Sequence, residues 1–66
     1  MNIPKSINLA LAYQEKDRDW LITKVNKSRG WISLILNRRR SISVRSLEEV
    51  AAAFGMKVSE FVALGE

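Results

Sequence analysis

Apolar residues recur along the chain at intervals of three and four, while alternating β-branched runs are scarce, and this periodicity predicts short helices instead of strands. Five helices are predicted. The first starts at Pro4, whose fixed φ suits a first helical turn, and runs to about Lys16 with Ile7, Ala10 and Leu11 sharing a face. Asp17 is placed to cap the second, a helix of about two turns in which Trp20, Leu21, Ile22 and Val25 form the apolar stripe. Asn26-Lys27-Ser28 reads as a turn, because asparagine tolerates the left-handed conformation and the Ser28 hydroxyl can accept from a free amide of a third helix. Trp31, Ile32, Ile35 and Leu36 make the buried side of that third helix.

The stretch from Asn37 to Ser43 holds three consecutive arginines among polar breakers and is expected to be an exposed loop with Ile42 tucked inward. Ser43 then caps a fourth helix in which Leu47, Val50, Ala51 and Phe54 fall on one side, with Gly55 as its stop. Glu48 and Glu49 are read as lying near its start, where the helix dipole favours them. Val58, Phe61, Val62 and Leu64 form a last short helix. The expected fold is therefore all-α, one domain over residues 1–66, with no internal repeat or linker.

A chain of 66 residues is small for independent stability, since a domain of this size buries only about 60% of the surface its unfolded chain exposes. Cysteine and histidine are both absent, which removes disulfides and ordinary zinc sites and leaves helix packing or self-association to supply stability. No metal or cofactor is expected. The serines have no adjacent base to activate them, and the carboxylates sit mostly at helix starts and chain ends, so the chain is not expected to be an enzyme. No stretch approaches the ~20 apolar residues of a membrane span, and the N-terminus lacks a basic region followed by an apolar core, so a cytoplasmic protein with no membrane partner is expected.

The net charge is +4 and the pI is near 10.0, but the distribution says more than the total. Residues 18–45 hold Arg18, Lys24, Lys27, Arg29, Arg38, Arg39, Arg40 and Arg45 against Asp19 alone, a net of +7. The first 17 residues balance to zero, and residues 46–66 sum to −3, with Lys57 against four glutamates. A polyanionic partner of the middle segment is implied.

A two-turn helix, a short turn and a second helix with a polar outer face is the plan of the helix-turn-helix motif. From Asp17 to Val62 the chain resembles, without a gap, the helix-turn-helix domain of the phage repressor and Cro class, also called the xenobiotic-response-element class. The stretch Asp17-Arg18-Asp19-Trp20-Leu21-Ile22-Thr23-Lys24-Val25-Asn26 looks like that family's second helix, and Lys27-Ser28-Arg29-Gly30-Trp31-Ile32-Ser33 looks like its recognition-helix entry. Ser43-Val44-Arg45-Ser46-Leu47-Glu48-Glu49-Val50-Ala51 with Phe54-Gly55 is similar to the fourth helix and its stop. The motif covers about residues 17–37. Three features depart from the family: Ile22 stands where a small residue is usual, Asn26 where glycine is usual, and Leu11 and Leu36 where an Arg–Glu pair is common. Because packed aliphatics can replace a buried ion pair without loss of stability, a direct contact between Leu11 and Leu36 is expected.

The resemblance implies a lambda-repressor-like DNA-binding fold and a sequence-specific regulator that reads a double-stranded DNA operator. Its recognition helix, about residues 29–37, would lie in the major groove. With Ile32 and Ile35 inward, the base-reading candidates are Ser28, Arg29, Gly30, Ser33, Leu34 and Asn37. Arg29 leads them because a guanidinium can bond guanine O6 and N7 together, whereas Leu34 would sit against a thymine methyl. Asn37 also has the alternative of capping the helix end. Phosphate contacts are expected from Arg18 at the start of the second helix, from Arg38, Arg39 and Arg40 in the loop, and from Arg45 at the start of the fourth helix. Trp20 and Trp31 are expected to be packing residues, Trp20 partly against the first helix.

Small Cro-type repressors are the nearer match in length, although Ile32 to Glu48 also looks like the controller proteins of restriction-modification systems. A homodimer on two half-sites about 34 Å apart is the expected working form, with Phe61, Val62 and Leu64 as interface candidates and Phe61 the one most suited to the core. A reading of another class keeps the fold and replaces DNA by a protein partner, as in an antirepressor or antitoxin-like module.

Overall fold

In a computed structural model describing residues 1–66, the chain folds into α1 (Ile3–Tyr13), α2 (Arg18–Val25), α3 (Arg29–Leu36), α4 (Val44–Ala53) and α5 (Val58–Leu64), with no strand. The caps explain most of the starts. Asn2 Oδ1 accepts from the Lys5 amide at 3.2 Å, Asp17 Oδ1 from Trp20 at 2.8 Å, Ser28 Oγ from Trp31 at 3.1 Å and Ser43 Oγ from Ser46 at 3.1 Å. Each bond satisfies one amide that the first helical turn leaves without a partner. The cap position of α5 is Lys57, whose side chain has no acceptor to offer, and Glu60 Oε1 instead accepts from the Lys57 amide at 3.0 Å.

The first four helices end in one way. The chain enters the left-handed region at Glu15 (φ 54), Asn26 (φ 57), Arg38 (φ 59) and Gly55 (φ 70). At each of them the next amide closes a six-residue ring onto the helix: Lys16 to the Leu11 carbonyl at 2.9 Å, Lys27 to Ile22 at 2.9 Å, Arg39 to Leu34 at 2.9 Å, and Met56 to Ala51 at 2.9 Å. This is the Schellman closure, and it satisfies carbonyls that the last turn leaves open. It also corrects two expected boundaries. α1 stops at Tyr13 and not near Lys16, because Glu15 already turns the chain, and α3 stops at Leu36 with Asn37 as its cap.

α1 packs on α5 and α3, α4 packs on α2 and α5, and α2 packs on α3. The shared core is a single apolar cluster of Ile3, Ile7, Ala10, Leu11, Leu21, Ile22, Val25, Ile32, Ile35, Leu47, Val50, Ala51, Phe54 and Phe61. Full burial of the isoleucine, leucine, valine and phenylalanine side chains among them contributes about 1.5–3 kcal/mol each. Leu11 belongs to this cluster and Leu36 packs against it. Ile42 packs against the same core from the loop.

Three aromatic rings tie α2, α4 and α5 together. Trp20 lies 5.5 Å from Phe54, and Phe54 stacks on Phe61 at 5.9 Å and 15°. The ring partner of Trp20 is thus the end of α4, and the Lys16 ammonium, just past α1, lies 5.8 Å from its ring centre. Phe61 is completely buried and belongs to the core, which removes it from the interface candidates. The end of α4 is further secured by Gln14, whose Nε2 donates to the Phe54 carbonyl at 2.8 Å. Glu48 and Glu49 lie beyond the first turn of α4, outside the reach of its dipole, and Glu49 instead faces Arg45 one turn earlier at 3.5 Å.

Candidate nucleic-acid interface

α3 is held to the core by Ile32 and Ile35, each 3% exposed, and its opposite face is open. Helical geometry sets this division: burying 32 and 35 turns 30, 33, 34 and 37 outward and leaves 29, at the first turn, on the edge of that open face. Ser28, Arg29, Gly30, Ser33, Leu34 and Asn37 are all exposed. Leu34 is 39% exposed, an apolar side chain standing in a polar face. Trp31 lies half-buried at the side of the helix, with the Lys27 ammonium 5.8 Å from its ring centre.

The polar side chains of this face are already partly organised. Ser28 accepts the Trp31 amide as the cap of α3, leaving its hydroxyl hydrogen free. Asn37 Nδ2 donates to Ser33 Oγ at 3.3 Å, one turn back along the helix. Arg29 Nη2 donates to Asp19 Oδ2 at 2.8 Å, a link from the first residue of α3 to the first turn of α2. Asp19 had no predicted role at this face. The signal was present, since it is the lone acid among the eight bases of residues 18–45.

Gly30 has no internal reason to be glycine. A β-carbon added there would meet only Ser28 Oγ, at the ordinary contact distance of 3.8 Å. Its backbone is helical with negative φ, so no left-handed conformation demands it either.

The five arginines expected at phosphates are all exposed, but their surroundings differ. Arg18, Arg39 and Arg40 make no side-chain hydrogen bond or ion pair within the chain. Arg45 faces Glu49 at 3.5 Å without a hydrogen bond, a looser pairing than the 2.8 Å bond of Arg29 to Asp19. Arg38 is drawn toward the start of α1, where its Nη2 donates to Asn2 Oδ1 at 3.0 Å. Asn2 is the other residue that the sequence left unmarked, because it lies 36 positions away.

Arg40 and Arg45 come together in an open groove of about 540 Å³ between the α2–α3 turn and the start of α4, which Lys27, Trp31 and Ser46 also line. Three cations and Glu49 give that groove a positive balance. Ser46 is 8% exposed and its hydroxyl makes no hydrogen bond within the chain. No helix is long and apolar enough to cross a membrane. No family model, curated protein or solved structure matches the chain.

Proposed function

We propose that the chain is a sequence-specific, double-stranded DNA-binding transcriptional regulator of the Cro and repressor type, with α2 and α3 acting as a helix-turn-helix. In this reading α3 enters the major groove, Arg29, Ser33 and Leu34 meet base edges, and Ser28 and Asn37 lie at the two ends of the contact. Arg18, Arg39, Arg40 and Arg45 meet phosphates on either side, and Arg38 joins them by leaving Asn2. The observation that carries the proposal is the open face of α3, which combines an arginine, two small polar side chains and a glycine that packing does not require.

One such domain makes few base contacts, so the working form is a two-fold dimer on half-sites about one helical turn apart. With Phe61 buried, Val62 and Leu64 are the remaining α5 candidates for its interface, both half-buried. Control of transcription in the manner of restriction-modification controllers is a branch of the same reading. The exposed Leu34 favours one second reading, in which the open face of α3 docks on a protein.

Selection of bound duplexes from a random library, repeated with Arg29→Ala, tests the proposal. An enriched palindrome for the natural chain, with one guanine position relaxed in the variant, is expected. Failure to enrich any sequence would move the function to the protein-binding reading.

A further inference from the structure

We infer that Asp19 is a positioning residue for base recognition: it aims the Arg29 guanidinium at guanine and, by its own charge, weakens binding to DNA of any sequence. The inference rests on the DNA-binding reading above. Its physical basis is the 2.8 Å bond from Arg29 Nη2 to Asp19 Oδ2. Arg29 is the first residue of α3 and its side chain is 80% exposed, so on its own it would sample many rotamers. Asp19 has a short side chain and lies in the first turn of α2, where the helix dipole favours its charge. The two helices pack on each other, and Leu21, Ile22, Val25, Ile32 and Ile35 all sit in the core, so the spacing of the pair is set by buried contacts.

The bond uses one of the five N–H groups of the guanidinium and narrows the orientations of the fork, leaving the other donors for a base, although the pair is exposed at 80% and 58%. A fork narrowed in this way loses less freedom when it bonds guanine O6 and N7, which sharpens the preference for that base. The carboxylate has a second effect of opposite sign. It is the only acid among the eight bases of residues 18–45, and at a phosphate-lined groove it repels the duplex whatever its sequence. One side chain thus trades general attraction for discrimination. A purely structural role would move both affinities in the same direction.

The test uses the full chain at one fixed salt concentration. The duplex selected by the natural protein, the same duplex with the Arg29-dependent guanine replaced, and a random duplex are titrated with the natural chain, Asp19→Asn, Asp19→Glu, Arg29→Ala and the Asp19→Asn/Arg29→Ala double variant. Circular dichroism checks that each variant is folded. Discrimination by the natural chain should be about 5- to 150-fold, the range expected for a bidentate arginine–guanine contact. Asp19→Asn is expected to cut it several-fold while binding random duplex about 2- to 10-fold more tightly. Asp19→Glu keeps the charge but moves the carboxylate, so it should lose discrimination without gaining on random duplex. In the double variant Asp19→Asn should remove no further discrimination. The inference is overturned if both folded Asp19 variants keep the natural discrimination, or if Asp19→Asn weakens both duplexes equally. A natural chain that binds duplexes but prefers none would overturn the DNA-reading proposal itself, and a preference unmoved by Arg29→Ala would remove only Arg29 and, with it, Asp19.

Discussion

A β-carbon built on Gly30 meets nothing closer than Ser28 Oγ, whereas one built on Gly65 would overlap the Asn2 carbonyl oxygen and lie 2.6 Å from Ser6 Oγ. The two glycines therefore answer to different pressures. Gly65 is buried against the start of α1 and closes the packing of α5 on α1. Gly65→Ala should lower stability by about 1–3 kcal/mol, a shift of roughly 4 °C or more in thermal midpoint for a domain this small. Gly30→Ala should do the reverse: about 0–1 kcal/mol of added stability, since alanine is the better helix former, with weaker binding of the selected duplex. Circular dichroism melts beside duplex titrations check both. A Gly30→Ala variant that melts lower would show that packing, and not an approaching partner, keeps the glycine. The open face of α3 was legible from residues alone, because burying Ile32 and Ile35 fixes what turns outward. The Asp19–Arg29 and Asn2–Arg38 bonds were not, because they depend on how helices come together in space.

At the scale of elements, helix starts were legible and helix ends only half so. Asp17, Ser28 and Ser43 carry short side-chain acceptors that announce caps, and each caps as expected. Asn26 and Gly55 likewise have the composition of left-handed stops, and both take positive φ. Glu15 and Arg38 do the same work with side chains that disfavour it, so no local preference marks them. No DNA contact is assigned to Glu15, so Glu15→Gly probes the helix stop: stability should rise by about 1 kcal/mol with the preferred duplex sequence unchanged. Chemical denaturation with an unchanged slope would measure it. Arg38 holds the same backbone conformation at the exit from α3, where a strained residue fixes the course of the arginine loop.

For the whole molecule the decisive property is charge placement. The helices gather the apolar residues into one cluster and leave a basic central segment at the surface, while the acidic balance falls in the last third of the chain. A positive surface of this kind binds duplex DNA by releasing counterions, so affinity should fall linearly on logarithmic scales as salt rises. Replacing Arg39 and Arg40 by alanine, two residues with no internal partner, should reduce the slope by about 1–2 while leaving the preferred sequence unchanged. The most direct single measurement is the affinity of the natural chain for random duplex DNA between about 50 and 200 mM salt. A slope of about −3 to −5, roughly a hundredfold loss or more over that range, is the predicted result. Absence of binding at the lowest salt, or an affinity indifferent to salt, would contradict a DNA-binding role for this surface.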